Sequence, residues 1–424
     1  MSDDAGRETR ASRFRSLGHR NFRLYWVGQL VSLIGTWMQS VAQGWLMHRL
    51  TDSAFMLGLL GFVQFLPVLL FSLWAGVVAD RVDKRRLLYL TQGAALLQAA
   101  ALAAVVMTGV VRPWMVLGLA FVFGVINAFD LPVRQSFLVD LVGKEDLSNA
   151  IALNSAAFNT ARVIGPAFAG VLVATIGEGG CFGINAVSYV AVLYCLTLLR
   201  LPPRAAHAAA AARATLREGV DYARSVGSIR NLLVLLGVTA GLGFQYMILL
   251  PVYARTILHA GAGAYGLLVS AFGLGALLSV ARLTQNLDRW GLRRNLLLGL
   301  SSAGLGLGVF AWSRSLPLSM VAGFVAGFGL IVYVASTNTL LQLTTEDRFR
   351  GRVMSLYTLM FVGTAPIGAL ASGAIAQRWG APMATSFSAV VLLGGALWVS
   401  YRLRVLAARE SAPPARAAEV EKIG

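Results

Sequence analysis

The sequence predicts an all-α membrane protein with twelve transmembrane helices in two pseudo-symmetric six-helix bundles. Three observations lead there: an apolar composition, apolar runs of membrane-spanning length, and residue patterns that recur about 200 positions apart. The 424 residues are 57% hydrophobic and only 13% charged, with a mean hydropathy of +0.68. A soluble domain carries about 25% charged residues, so this chain has too few to cover a water-facing surface. The formal charge of +17 would suit nucleic acid. The basic residues, however, sit in short loops and both tails, with no basic helix and no interleaved aromatic platform. That distribution sets membrane topology, and no nucleic-acid partner is expected.

Runs near the ~20 residues a bilayer requires fall at 24–47, 55–79, 87–110, 114–132, 149–175 and 181–199. In the second half they fall at 231–254, 264–286, 295–312, 317–343, 353–376 and 382–401. Barrel strands are excluded, because the runs exceed ~10 residues and do not alternate. An even number of crossings puts both tails on one side. The opposite connections then hold only Arg49, Arg112, Arg255, Arg314 and Arg378. Arg162 and Arg282 lie inside runs, and every other Lys and Arg is on the tail side, which is therefore expected to be cytoplasmic. Trp26, Trp45, Trp114, Trp290, Trp312 and Trp379 stand at run ends, as an interfacial aromatic belt would. The first 22 residues have no apolar segment of signal-peptide type. Cys181 and Cys195 lie fourteen residues apart in one run, ~21 Å along a helix, beyond disulfide reach.

The halves repeat one another. Gly58-Leu59-Leu60 recurs as Gly266-Leu267-Leu268, and Asp80-Arg81 as Asp288-Arg289, both offset by 208. Glu145-Asp146 recurs as Glu346-Asp347, and Pro166 finds Pro366. The organisation expected is an N-terminal tail (1–23), a first bundle (24–200), a linker (201–228), a second bundle (229–403) and a C-terminal tail (404–424). The linker opens with Pro202-Pro203, runs through poly-Ala, and is expected to form a short helix near Leu216–Ser225.

Gly76-Val77-Val78-Ala79-Asp80-Arg81-Val82-Asp83-Lys84-Arg85-Arg86 ends one apolar run and opens another. It resembles the loop signature of the major facilitator superfamily: glycine, three residues, Asp-Arg, then a basic pair. Asp83 stands where that family usually has glycine. The chain is most similar to the branch holding the enterobactin exporter and macrolide-efflux carriers. The residues behind that likeness are Asn21-Phe22-Arg23-Leu24, Ala79 to Asp83, Asp130-Leu131-Pro132-Val133-Arg134-Gln135 and Arg162-Val163-Ile164-Gly165-Pro166. The resemblance implies two bundles around a central site and a conformational latch. Its residues would be Gly76, Asp80, Arg81, Arg85, Asp130 and Arg134, with Asp288, Arg289 and Gly291 as the second copy. Asp80 would meet the start of the eleventh span near Gly351–Val353, where free N–H groups favour an anion. Arg81 would associate with Asp130 or the Arg134 neighbourhood. Such contacts form only with the cytoplasmic side closed and so favour the outward-open state.

Among residues that could touch a substrate, Arg162 stands out. A guanidinium near mid-span costs ~2.5–3.5 kcal/mol or more on insertion scales. At 3.6 residues per turn, Ser155, Phe158, Asn159 and Pro166 share its face within about 60°, with Asn154 slightly farther round. Arg162 either binds an anionic or carbonyl-rich substrate or ties to helix carbonyls or Asp130. Gln39 and Gln43 on the first run, with Gln245, Tyr246 and Asn338, complete the substrate-binding candidates. Trp37, Phe244 and Tyr333 add aromatic surface suited to an amphipathic ligand.

No nucleotide-binding glycine loop, nucleophile–base pair or metal set appears, so neither an enzyme nor a cofactor is expected. Driving force falls to an ion gradient, and the resemblance implies protons. The reading is a monomeric multi-pass carrier of the bacterial inner membrane, with both termini cytoplasmic. It would export an amphipathic small molecule, siderophore or drug, by alternating access. An importer, a polytopic membrane enzyme and a non-transporting sensor are the alternatives.

Overall fold

The computed structural model describes residues 14–143, 145–200, 216–283 and 289–411. Among these, all regular structure is helical. The first half comprises α1 (Arg20–Thr51), α2 (Ala54–Arg81), α3 (Lys84–Met107), α4 (Pro113–Val142) and α5 (Leu147–Leu198). Local chemistry sets several starts. The Ser53 side chain accepts from the Met56 N–H ahead of α2, and Asp83 accepts from the Arg86 N–H at 2.8 Å ahead of α3. Pro113 opens α4, where its missing N–H has no helical partner to lose.

A 52-residue helix would run ~78 Å, more than twice the ~30 Å of a hydrocarbon core. α5 is instead a hairpin. Gly177 has φ 74° and ψ 175°, a conformation that L side chains rarely adopt. Gly165, before it, packs on Ile34 and Trp37, while Asn185, after it, packs on Gly35. The two arms therefore lie side by side along α1. Their free ends return together: the Leu153 carbonyl accepts from the Trp26 indole N–H, and the Arg200 carbonyl from Asn21. Arg49 grips Glu178 beside the turn at 2.8 and 3.3 Å.

The linker helix α6 (Leu216–Ser225) precedes the second half: α7 (Gly227–Gly243), α8 (Ala262–Leu283), α9 (Arg289–Trp312) and α10 (Leu316–Thr344). It closes with α11 (Asp347–Val362), α12 (Ala365–Trp379) and α13 (Ala381–Ser411). Two expected spans are interrupted. The run expected at 231–254 is α7 followed by a 3₁₀ turn, Gln245–Leu249, a short helix Leu250–Val252 and a π-turn, Tyr253–Ile257. The run expected at 353–376 breaks at Gly363-Thr364, just before Pro366, whose ring removes a helix hydrogen bond. Ten helices among the described residues are long and apolar enough to cross a bilayer. Two places account for the difference from the twelve crossings expected. α5 folds back on itself, and the 32-residue α1 carries Gln29, Ser32, Thr36, Gln39 and Gln43, which lower its hydropathy.

The halves meet where α2 faces α12 and where the 147–176 arm of α5 faces α8. At the end remote from the tails these pairs touch backbone to backbone. A Cβ on Gly58 would lie 2.7 Å from the Ala369 carbonyl oxygen and 2.8 Å from Gly373 Cα. On the other seam, a Cβ on Gly266 would lie 2.4 Å from the Pro166 oxygen and 2.9 Å from Gly170 Cα. Ser53 donates to Gln377 at 2.9 Å, and Ser270 to the Val163 carbonyl at 2.9 Å. Towards the tails the contact ends. Leu69 still reaches Gly363, but Gly76 and Gly351 each face open space beyond 4 Å. Among the described residues, the interior is thus sealed at the far end and open at the tail end.

Candidate functional site

Arg162 projects from the first arm of α5 between the halves. Its guanidinium carbon lies 5.9 Å from the Trp37 ring centre on α1, and Trp37 meets Phe158 edge-on at 5.7 Å. From the second half, the hydroxyl of Tyr246 faces the guanidinium. Tyr246 is held on the 3₁₀ turn by stacking on Phe272 at 4.4 Å. A cation over the Trp37 face is attracted by the ring quadrupole, and the Tyr246 hydroxyl engages one part of the guanidinium, leaving other N–H donors for a ligand. Ser155, about two turns below, is exposed, and Asn154 and Asn159 are half-buried. Asn159 donates back to the Ser155 carbonyl at 2.9 Å. Phe244, Phe361 and Tyr357 form a further aromatic wall in the second half. Asn338 accepts from Gln342 at 2.6 Å near that wall.

The remaining binding candidates are placed differently. Gln39 is buried inside the first bundle, donating to Gln98 at 3.1 Å and accepting from Asn185 at 2.8 Å. Both ends of its amide are used between helices. Gln43 is equally buried, with its amide nitrogen lacking a partner. Gln245 donates to the Ala240 carbonyl at 3.0 Å, satisfying the backbone where α7 gives way to the 3₁₀ turn.

Of the latch residues, Asp130 and Arg134 form an ion pair one turn apart on α4. Asp130 also accepts from Thr91 and Gln92 of α3, both at 2.7 Å. Arg85 donates to the Thr197 carbonyl at 3.2 Å and lies over Tyr89. Lys84 pairs with Asp140 at 2.9 Å. Arg81 is exposed at the end of α2. The Arg81–Asp130 contact is not made in this state, because Arg134 occupies the carboxylate. The start of α11 is engaged from elsewhere. Tyr222 of α6 stacks on Phe349 at 4.0 Å, and Glu218 pairs with Arg352 at 2.9 Å. Gly291 is buried in the first turn of α9. Asp288 lies outside the described residues, as do the side chains of Asp80 and Arg289.

Two groupings had no clear signal in the sequence. One is the pair of glycine seams, since glycines in apolar runs read equally as packing within a bundle, which is what Gly323 and Gly327 do against Phe272. The other is the tail hook. Asp146, ahead of α5, binds His19 at 2.7 Å and also pairs with Arg15. The His19 hydrogen bond, then the Arg15 charge, hold the Asp146 carboxyl below the usual carboxylate range.

A helical membrane protein in two related halves, sealed at one end and open at the other around a half-buried cation, has the architecture of a major facilitator transporter. The match to known proteins gives the family: the chain belongs to the transmembrane secretion effectors of that superfamily, whose profile spans residues 11–422. It is 26% identical over 365 residues to a staphyloferrin A transporter of Staphylococcus aureus, covering 84% of this chain and 90% of that one. It is 27% identical over 411 residues to the enterobactin exporter of Citrobacter koseri, covering 92% of each. In fold it superposes with TM-score 0.71, at 14% identity, on a bacterial homologue of the lysosomal transporter Spinster, solved inward-facing and unoccupied, over 90% of this chain and 95% of that one. The family and these relatives are transporters, not enzymes. The chain is thus a multi-pass transporter whose partners are the lipid bilayer and a small-molecule substrate.

Proposed function

We propose that this transporter exports an amphipathic organic anion, of siderophore or drug type, from the cytoplasm by alternating access. It would do so as a monomer of the bacterial inner membrane, with both tails cytoplasmic and a proton gradient as the driving force. The observation that carries the reading is Arg162, a guanidinium set between Trp37 and Tyr246 where the two halves meet. In water-poor surroundings such a group needs an anionic or carbonyl partner, and the aromatic faces suit the apolar body of the same ligand. The opening at the tail end is the side from which an exporter loads. Relatives that carry siderophores fit this chemistry.

The test is flux into inside-out proteoliposomes under an imposed pH gradient, with a panel of siderophores and antibiotics. Arg162→Ala should weaken uptake of an anionic substrate by about 10- to 100-fold, corresponding to ~1.5–3 kcal/mol for a charge-assisted hydrogen bond. Arg162→Lys should recover part of it. Full flux in a well-inserted Arg162→Ala protein would remove that residue from the site. Flux indifferent to the pH gradient would remove the proton.

A further inference from the structure

We propose that His48 is a proton-binding site on the far-end seam, and that its protonation by external acid loosens the seam and favours the outward-open state. The proposal rests on the alternating-access reading above. His48 lies near the end of α1 and is only 2% exposed. Its Nε2 is 3.3 Å from the Thr256 hydroxyl of the second half. Arg255, next to Thr256, donates to the His48 carbonyl at 3.3 Å. His48 and Thr256 are 208 positions apart, the offset that relates the two halves. Residues at equivalent positions touch each other only near the pseudo-twofold axis. A contact there lies between the two halves and separates directly when they rock apart. Thr256 and Arg255 are presented by the π-turn Tyr253–Ile257, an insertion of the kind that commonly marks functional positions in helices.

The sealed seam accepts a neutral imidazole and rejects a charged one. Nδ1 is buried without a hydrogen-bond partner. A neutral ring can leave it as an unprotonated acceptor, whereas the imidazolium would bury an unpaired N–H⁺. The charge facing it across the seam is the Arg255 guanidinium. On its own helix, Arg49 is spent on Glu178 of α5. One turn back, Gly44 packs against the Tyr265 hydroxyl of α8, which is neutral. Among the described residues, the carboxylate within reach is Asp52, 3.8 Å from Nε2 and 79% exposed. It offers external protons a short route and draws the imidazolium towards the first half, away from Arg255. Opening the seam hydrates the ring and separates the two cations. Protons therefore bind the open form more tightly, and the seam weakens as external pH falls through the imidazole range.

The test uses the full chain in nanodiscs, with spin labels at Thr108→Cys and Ser315→Cys on a Cys181→Ala, Cys195→Ala background. These positions lie at the far end, one in each half. Between pH 8 and 5.5 the label distance should lengthen, with the open-to-sealed ratio changing by up to about tenfold per pH unit for one proton. His48→Gln, which can still bond Thr256 but carries no proton, should abolish the response. Arg255→Gln, which removes the facing cation, should shrink it. A His48→Gln protein that opens with acid as the wild type does would overturn the proposal. Gly58→Trp, which must wedge the same seam, separates the two readings. If Gly58→Trp lengthens the distance and acid does not, the His48 site fails alone. If neither does, alternating access at this end fails with it.

Discussion

The far end and the tail end of the same helices are built on opposite plans. Where α2 passes α12, glycine meets glycine, and no side chain separates the backbones. Where α2 approaches α11, glycines are present as well, at Gly76 and Gly351, yet a Cβ added to either would meet no other element within 4 Å. Small residues alone therefore do not close a seam. Closure at the far end also has hydrogen bonds between the halves, from Ser53 and Arg255, and Ser270 adds one nearer mid-span. At the tail end, the ion pairs among the described residues stay within one half or run to the linker helix. Asp130 holds Arg134, Lys84 holds Asp140, and Arg352 holds Glu218 of the linker helix. One end is joined across the halves and the other is tied within them.

That contrast can be broken most strongly at Gly58. Placing Trp there forces a side chain into backbone, and overpacking of ~1–3 kcal/mol should lower the share of tail-open molecules about 5- to 150-fold. Distance measurements across both ends would read it as a lengthening at the far end and a shortening at the tail end. A smaller effect is expected at the linker. Tyr222→Ala removes the stack on Phe349, worth ~0.5–1.5 kcal/mol, so backbone hydrogen exchange in α6 should quicken roughly two- to tenfold. Unchanged exchange would show that Glu218–Arg352 suffices to hold the helix on α11. The smallest change is expected at the tail hook. The Asp146 carboxyl is held below its ordinary value, so its contacts persist above the unfolded carboxylate range, near ~3.9. They are lost only as pH falls through the lowered value. A mobility probe on the N-terminal tail should show an acid loosening only below the ordinary carboxylate value, and read looser at neutral pH in Asp146→Asn.

Much of the architecture was legible because bilayer thickness imposes its own length on a sequence. The runs at 149–175 and 181–199 anticipate the two arms of α5, although only five residues separate them. The turn itself needed Gly177, which no hydropathy profile singles out. The eleventh run was expected unbroken although Pro366 lies in it, and the 3₁₀ and π segments after α7 have no such marker. The face of Arg162 followed from helical periodicity, since Phe158 and Arg162 both reach Trp37. Gln39 shows the limit. Periodicity puts it on a polar stripe, but its partners Gln98 and Asn185 come from α3 and the second arm of α5. Which polar side chain ties helices and which is left for a ligand is decided by neighbours far away in the chain.

The glycine seams have a consequence for turnover. Interlocked side chains must change rotamers before two surfaces can part, whereas bare backbones in van der Waals contact behave as a smooth bearing. Gly58 against Gly373, and Gly266 against Gly170, give the halves a surface on which to roll with little to disengage. A single methyl added there would act as grit.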